Sequence, residues 1–321
     1  VFKNLLINNI PIISSLSRLS ELKSKYPNLQ VFLAIPNIKT EERRKIITDL
    51  ESLKVAVRTV PSLTELISDQ KKMTDLQELS IDDILPGARI SNTEVSEASS
   101  KTFFVSGAGG SIGAEITRQL LVGNPKKIIL YELSEYSLFQ FERECIAIID
   151  SKDLDTSIIS ILGDIRDRKN LNYIFKKFQV DHIYHAAAYK HVPIVESENN
   201  LSIAAENNIL GTYNLAQAAV ENSVKSFVMI STDKAVRPTN IMGATKRFAE
   251  IIIQSINAST DVTRLSMVRF GNVINSSGSV IPLFLDQISH GGPVTVTDKN
   301  VMRYFMTIPE ASSLVIQAGE M

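Results

Sequence analysis

Apolar and polar positions follow a repeating pattern along most of this chain, and the pattern predicts an α/β fold. After Lys101, short apolar runs typical of buried parallel strands alternate with longer segments whose apolar residues recur at helical spacing. The predicted strands are 102–106, 127–131, 157–162, 182–185, 226–230 and 264–269, and the predicted helices include 112–121, 169–178, 204–220 and 242–256. Such alternation indicates a Rossmann-like, doubly wound parallel sheet covered by helices on both faces.

The first hundred residues have a different pattern. Two apolar runs end at Pro36 and Pro61, and a segment at 40–53 between them has apolar residues at helical spacing. Residues 1–70 are therefore predicted to form a small, partial α/β domain, residues 71–100 a linker, and residues 101–321 the main domain. Since the chain opens on Val1 without an initiator methionine, we expect it to be a piece of a longer protein.

Composition removes several classes of function. With 34 Lys and Arg against 35 Asp and Glu, the net charge is −1, which argues against a nucleic-acid partner. Cys145 is the only cysteine, so the chain forms no disulfide within itself, and we predict a buried thiol. His185 and His191 lack further ligands at metal-binding spacing, so no metal site is expected. The chain also lacks an apolar run of about 18 residues, so no membrane span is predicted.

A glycine-rich turn directly after the first strand of the main domain predicts a dinucleotide site. Gly107, Gly110 and Gly113 frame it, with Ser111 and Ile112 between the last two. A turn of this kind lets the backbone approach a pyrophosphate at the N-terminus of the next helix.

An acidic residue at the end of the following strand completes the predicted dinucleotide site. Glu132 lies 19 residues after Gly113, where a carboxylate accepts ribose hydroxyls and repels a 2′-phosphate. NAD is therefore favoured over NADP. Asp164, followed by Ile165, either meets the adenine edge or caps the next helix.

The glycine spacing, the Asp164-Ile165 pair and the run from His185 to Ala188 resemble the extended short-chain dehydrogenase/reductase superfamily. This resemblance adds Ala186 and Ala187 to the cofactor-binding residues. It also points to the superfamily's Tyr-x-x-x-Lys pattern, in which Lys246 matches the lysine. Met242 stands where the tyrosine is expected, and a thioether cannot titrate.

The stretch Ser231-Thr232-Asp233-Lys234-Ala235-Val236, followed by Pro238-Thr239-Asn240-Ile241-Met242-Gly243-Ala244-Thr245-Lys246, resembles the CapD-like polysaccharide-biosynthesis family. Further matching runs begin at His185, Asn208, Arg269 and Met302, and residues 1–70 resemble the region that precedes that family's catalytic domain. The resemblance implies an NAD-dependent UDP-N-acetylglucosamine 4,6-dehydratase. Such an enzyme oxidises the sugar at C4, eliminates water across C5 and C6, and returns the hydride to C6.

Roles for individual residues follow from the same resemblance. Elimination needs an acid and a base, and we assign Asp233 as the acid and Lys234 as the base. Lys246 is expected to hold the nicotinamide ribose, and Thr232 to contact the sugar O4. The group that accepts the C4 hydroxyl proton stays open. The predicted substrate-binding residues are Lys190, Asn272 and Arg303, the two cations because a diphosphate needs positive partners.

Two rival functions remain open on the sequence. A nucleotide-sugar epimerase begins with the same C4 oxidation but needs no acid for a C6 hydroxyl. A noncatalytic NAD-binding regulator would explain the missing tyrosine, but the retained Asp233, Lys234 and Lys246 speak against it. The resemblance further implies a catalytic domain cut short at its C-terminus. It implies a cytoplasmic location at the inner face of a bacterial inner membrane, in a membrane-anchored full-length protein, and leaves a homo-oligomer open.

Overall fold

A six-stranded parallel sheet lies at the centre of the larger of two units in the computed structural model of this chain. The structure describes residues 6–7, 10–11, 17–26, 29–35, 40–53, 55–59, 77–78, 98–274, 280–296 and 298–321. The smaller unit is Val1–Gly87 and the larger is Ala88–Met321. Most of the predicted linker at 71–100 lies outside the described residues.

Within the smaller unit, a strand, a helix and a second strand form a βαβ arrangement. Its elements are β1 Leu6–Ile7, β2 Ile10–Pro11, α1 Ser17–Lys25, β3 Gln30–Leu33, α2 Thr40–Ser52, β4 Ala56–Thr59 and β5 Gln77–Glu78. Strands β3 and β4 pair in parallel, and β5 adds to β4 in the antiparallel sense. Ile47 and Leu50 of α2 are buried, as their helical spacing predicts.

The sheet of the larger unit has the strand order of a dinucleotide-binding fold. Its strands are β6 Thr102–Ser106, β7 Lys127–Glu132, β8 Ser157–Leu162, β9 His182–His185, β10 Ser226–Thr232 and β11 Arg264–Phe270. They lie in the order β8-β7-β6-β9-β10-β11, all parallel. The order reverses between β6 and β9, and ligands of such sheets bind at the carboxyl ends of the strands beside this point.

Helices cover both faces of the sheet, which confirms the doubly wound fold. They are α3 Ser111–Val122, α4 Glu135–Lys152, α5 Arg168–Phe178, α6 Val192–Val195, α7 Leu201–Ala205, α8 Thr212–Glu221, α9 Ile241–Ala258, α10 Val280–Ser289 and α11 Ile308–Glu320. Strand pair β12 Asn272–Val273 and β13 Phe305–Met306 lies apart from the main sheet. In the part of the chain that the structure describes, none of the helices combines the length with the hydrophobicity that a membrane span requires.

Alternate residues of the central strands feed two hydrophobic layers. Phe104 on β6 packs into the layer beneath α5, α8 and α9, while Phe103 and Val105 pack into the layer beneath α3, α4 and α11. Burial on both faces explains why these strands read as continuous apolar runs. Cys145 lies in the second layer, where burial raises the pKa of its thiol to about 12. The prediction of a buried thiol is confirmed.

One predicted helix is wrong in its form. The segment predicted as a single helix at 204–220 contains a π-helical turn, Glu206–Gly211, between α7 and α8. π turns are uncommon and often occur at functional sites. Here the turn carries Asn208, whose buried side chain binds the loop that follows β9.

Candidate active site

The turn after β6 brings the backbone into close contact at two glycines. Gly107 has φ +66°, and a Cβ at this position would lie 2.7 Å from the backbone nitrogen of Ala187. A Cβ on Gly113 would collide with the carbonyl oxygen of Gly107. Gly110 precedes α3 in extended conformation and makes no side-chain cap. The backbone therefore borders the site directly, beside the positive end of the helix dipole.

A cavity of about 330 Å³ opens at this turn, and Glu132 faces it from the end of β7. One carboxylate oxygen of Glu132 accepts the Gly109 N–H at 3.0 Å. The other accepts the N–H groups of Leu133 at 2.9 Å and Ser134 at 3.1 Å. These backbone donors hold the carboxylate at the rim of the cavity. We refer to this space as the nucleotide cavity.

Asp164 and Ile165 line the same cavity, but the Asp164 carboxylate is already paired. It binds the Arg166 guanidinium at 2.6 Å and accepts the Arg166 N–H at 2.8 Å. These contacts lower the pKa of Asp164 although its burial opposes this. Asp164 does not cap α5, because Asp167 accepts the Asn170 N–H there. Of the two roles left open for Asp164, helix capping is excluded.

A second cavity of about 320 Å³ lies at the carboxyl ends of β9, β10 and β11; we refer to it as the catalytic cavity. It shares Ala186, Ala188 and Tyr189 with the nucleotide cavity. Ile112 of α3 also lines it. The two cavities therefore meet along the loop after β9, as an elongated ligand requires. The predicted site residues that line the catalytic cavity are Ile112, Ala186, Lys190, Thr232, Lys234, Met242, Lys246 and Asn272.

Thr232, Asp233 and Lys234 form a hydrogen-bonded group at the end of β10. The Thr232 hydroxyl donates to Asp233 Oδ1 at 2.9 Å, and Lys234 Nζ donates to the same oxygen at 3.2 Å. Lys234 Nζ also donates to Asn272 Oδ1 at 2.9 Å. Burial alone would raise the pKa of Asp233, but the bonds from Thr232 and Lys234 lower it below its ordinary value. In this structure, Asp233 is therefore the anion of an ion pair.

Lys246 and Met242 lie one turn apart on α9. The Lys246 side chain is deeply buried, with the residue 7% exposed, and burial lowers the pKa of its ammonium to about 8, while the charge of Glu250 opposes this. Met242 is 4% exposed and packs with Val195 and Ala204. Its side chain thus closes one wall of the catalytic cavity with apolar surface.

His185 has two hydrogen-bond partners, in agreement with a structural role. Its Nδ1 lies 2.7 Å from Ser106 Oγ, and its Nε2 lies 2.9 Å from Thr212 Oγ1. Burial, followed by the nearby charge of Lys246, lowers the pKa of His185 to about 3, so the ring is neutral. In the part of the chain that the structure describes, no group of three or more metal-binding side chains occurs.

Asn208 is a site residue to which sequence reasoning assigned no role. Its side-chain amide donates to the Tyr189 carbonyl at 2.9 Å and accepts the Tyr189 N–H at 2.9 Å. It also donates to Thr245 Oγ1 at 3.0 Å, beside Lys246. Asn208 therefore ties the loop shared by the two cavities to helix α9. The run that begins at Asn208 matches the CapD-like family, and this match was the sequence signal that could have pointed to Asn208. A buried side-chain amide is usually hydrogen-bonded, most often to the backbone.

The two predicted substrate-binding cations have different positions. Lys190 lines the catalytic cavity, and burial lowers the pKa of its ammonium. Arg303 is exposed, donates to the Met302 carbonyl at 2.9 Å, and is not among the residues that line either cavity. The structure thus brings Lys190 and Asn272 to the site but not Arg303, whose role stays a prediction. Ser111 begins α3 beside the turn.

The parallel sheet, the glycine turn and two joined cavities at the switch point define a dinucleotide-binding protein of the short-chain dehydrogenase/reductase type. Comparison with known proteins narrows the class. Residues 103–321 match the family described as "Polysaccharide biosynthesis protein". The chain belongs to this family.

Individual relatives support this membership. The chain is 42% identical to the Staphylococcus aureus "Capsular polysaccharide biosynthesis protein CapD" over 93% of its length and 50% of the relative's. It is 36% identical to a Campylobacter jejuni "UDP-N-acetylglucosamine 4,6-dehydratase (inverting)", over 68% of this chain and 64% of that one. The chain spans about half the length of the CapD relative.

Solved structures share the fold. Pen from Bacillus thuringiensis is 36% identical, with a TM-score of 0.64 over 70% of this chain and 66% of that one. More distant structures, at 21 to 24% identity and TM-scores of 0.57 to 0.58, include dTDP-glucose 4,6-dehydratase and UDP-glucose 4-epimerase chains with NAD bound.

Proposed function

We propose that this chain is the catalytic part of an NAD-dependent nucleotide-sugar 4,6-dehydratase. It converts UDP-N-acetylglucosamine to a UDP-4-keto-6-deoxy sugar for surface polysaccharide synthesis. The observation that carries this proposal is the Asp233–Lys234 pair beside the catalytic cavity, since elimination of water needs an acid and a base together. The Campylobacter relative supports the substrate.

The two cavities suit NAD in shape and chemistry. The close backbone contacts at Gly107 and Gly113 form a turn that a pyrophosphate can approach, and Glu132 is placed to accept ribose hydroxyls. Lys246 is placed to hold the second ribose in the catalytic cavity. When bound, NAD supplies a hydride acceptor at C4 and later a hydride donor to C6.

Elimination leaves the number of protons on the protein unchanged if one residue takes the C5 proton and its partner gives a proton to the C6 hydroxyl. Lys234 Nζ and Asp233 Oδ1 lie 3.2 Å apart. The assigned roles require a neutral Lys234 and a protonated Asp233, so a proton has to lie on Asp233 Oδ1 rather than on Lys234 Nζ when elimination begins. Neutral Lys234 then takes the C5 proton, and Asp233 gives its proton to the departing C6 hydroxyl, which leaves as water. When the hydride returns to C6, the Lys234 ammonium gives a proton back to C5. Asn272 fixes Lys234 Nζ for this step.

The first oxidation needs a group that polarises the C4 hydroxyl. Thr232 lines the cavity and is the hydroxyl nearest the acid–base pair. The buried positive charge of Lys246 lowers the free energy of a developing oxyanion. Met242 contributes no proton, so its part is to shape the cavity.

The decisive experiment is product analysis with the full-length protein. We expect UDP-N-acetylglucosamine to yield a 4-keto-6-deoxy sugar by proton NMR. In heavy water, deuterium should enter at C5, because the C5 proton is taken by a base and exchanged. Formation of the C4 epimer would favour an epimerase, and NAD binding without any product would favour a regulator.

A pair of lysine variants tests the assigned base. Lys234→Met should abolish elimination. Lys225→Met is the matched control, because Lys225 is exposed and pairs with Asp181 at the opposite end of β10. Equal activity of the two variants would contradict the assignment of Lys234.

The same proposal places this part of the full-length protein in the cytoplasm, at the inner face of a bacterial inner membrane. Its support is the family's role in surface polysaccharide synthesis.

A further inference from the structure

A fully buried carboxylate lies one helical turn beyond Lys246 and has no part in the mechanism above. Glu250 is 0% exposed. Its Oε1 accepts the Ser231 hydroxyl at 2.6 Å and Arg269 Nε at 2.7 Å. Its Oε2 accepts Arg269 Nη2 at 2.6 Å and Arg247 Nη1 at 2.9 Å. A buried carboxylate is costly unless it is paired in this way.

The partners of Glu250 lie on the elements that carry the candidate catalytic groups. Ser231 lines the catalytic cavity and directly precedes Thr232 on β10. Arg269 lies on β11, three residues before Asn272, which holds Lys234. Glu250 itself lies on α9, four residues after Lys246 and on the same helical face. One carboxylate thus joins three elements behind the cavity.

We propose that Glu250 is a positioning residue of the catalytic cavity, which ties the ends of β10 and β11 to α9 and supplies the counter-charge of the buried Lys246 ammonium. The role assigned to Lys246 rests on the proposed function. The anchoring and the counter-charge do not, because both are properties of the folded chain.

The sign of the electrostatic effect follows from the opposite charges of Lys246 and Glu250, which lie one turn apart on α9. Burial disfavours the ammonium form of Lys246, and the Glu250 charge favours it. Burial also opposes ionisation of Glu250, but the bonds from Arg269, Ser231 and Arg247 hold its pKa at about 2. Glu250 is therefore an anion throughout the working pH range. Removing its charge must make Lys246 lose its proton at lower pH.

Other charged or titratable groups near Lys246 do not supply this negative charge. The neutral ring of His185 on β9 is close enough for the Lys246 charge to affect it. Asp233 is paired with Lys234. The groups that share the catalytic cavity with Lys246 are Lys190, His191 and Lys234. Among the described residues, Glu250 is the carboxylate whose charge favours the ammonium form of Lys246.

A purely structural role is the competing explanation, because buried ion pairs also anchor helices. Replacing a buried pair by neutral groups can leave stability nearly unchanged. The pH midpoint of the Lys246 titration distinguishes the two explanations, because a residue that only anchors the helix would not shift this midpoint. Arg247 offers a control of opposite sign, since it binds the same carboxylate but carries positive charge.

The test is a lysine titration of the purified chain carrying ¹³C at lysine Cε, followed by NMR between about pH 6 and 11. The Lys246 signal is identified by its loss in Lys246→Arg. In Glu250→Gln we expect its midpoint to move to lower pH by roughly 1 pH unit. In Arg247→Gln it should stay or move slightly to higher pH, and in Glu250→Asp it should stay near that of the unmodified chain. An unchanged midpoint in a folded Glu250→Gln protein would overturn the proposal.

Folding of the variants is checked by thermal melt. If Glu250→Gln alone fails to fold, adding Arg269→Gln removes the cation left without its partner. The midpoint of this double variant is then compared with that of Arg269→Gln alone, and the same downward shift is expected. Equal midpoints would overturn the counter-charge role.

Turnover in the full-length protein gives the second measurement. Because Lys246 must be protonated to act, the rate should fall as pH rises through about 8, and this fall should move to lower pH in Glu250→Gln. Ser231→Ala, which removes an anchor but no charge, should lower kcat without moving the Lys246 midpoint. If the unmodified protein forms no 4-keto sugar, the proposed function fails, while the NMR titration still decides the role of Glu250.

Discussion

The nucleotide cavity and the catalytic cavity are built from different parts of the chain. In the first, glycines expose the backbone, and even the Glu132 side chain is held by backbone N–H groups. In the second, side chains hold one another, as Asp233, Lys234 and Asn272 do at its rim. This difference indicates which cavity mainly determines cofactor affinity and which mainly determines the reaction rate. Changes to the backbone-built half should alter cofactor affinity, and changes to the other half should alter rate.

The largest effect is expected from a substitution at the rim of the catalytic cavity, where side chains hold one another. Asp233→Asn in the full-length protein should lower the rate of 4-keto sugar formation by about 100-fold or more, the usual contribution of a general acid. NAD affinity, measured by calorimetry, should not change, because Asp233 is not among the residues that line either cavity. Asp261→Asn, at an exposed position, is the control. Near-normal turnover would place the acid elsewhere.

The next largest effect is expected from a substitution in the nucleotide cavity, which the backbone of the glycine turn forms. Gly107→Ala forces a side chain into positive φ, which costs about 1–2 kcal/mol, and into contact with Ala187. We expect NAD affinity to fall by about tenfold or more. Gly291→Ala is the matched control. Gly291 has φ +90° and no atom within 4 Å of an added Cβ, so this variant has backbone strain from positive φ but no steric contact. If both variants bind NAD equally, the turn does not form the cofactor site.

A smaller effect sharpens the role of Glu132. The unmodified chain should bind NAD more tightly than NADP, and Glu132→Gln should narrow this preference by roughly fivefold, since a charge near the protein surface contributes up to about 1 kcal/mol. Glu135→Gln, an exposed acid in the first turn of α4, should leave it unchanged. Tighter binding of NADP by the unmodified chain would refute the assignment.

The smallest effect concerns Met242. Met242→Ala should lower the melting temperature, because a buried methionine replaced by alanine costs about 2–5 kcal/mol, yet reduce turnover less than Lys246→Ala. Met242→Tyr should not raise turnover by more than about twofold, because the cavity wall is apolar here and a phenol needs a partner. A large gain would show that the cavity is a damaged tyrosine site.

Much of the fold followed from local pattern, because its strands are buried on both faces and stand out as apolar runs. Each predicted strand of the main sheet is present, β10 extending two residues further than predicted. Helix α11 was missed, although Thr307 and Glu310 form a capping box that is a recognisable start signal. The π turn was missed because apolar spacing does not separate it from an α-helix.

The candidate site was harder to predict from the sequence wherever a residue's role depends on which charged side chain the fold places beside it. Asp164 follows its strand as expected, but its bond to Arg166 depends on the conformation of a loop. Arg303 was proposed as a ligand from its charge, and it is not among the residues that line either cavity. Glu250 resembles an ordinary helix-surface acid in sequence. The structure shows it to be fully buried, with Arg269 reaching it from β11.

The π turn Glu206–Gly211 also limits how this part of the chain can change in length. Each residue of an α-helix turns the chain by about 100°. Asn208 must face Tyr189 while Thr212 faces His185, so gaining or losing one residue between them would rotate one of the two out of place. We therefore expect insertions and deletions among relatives to cluster outside this segment, for example after Asn222, where helix α8 has ended.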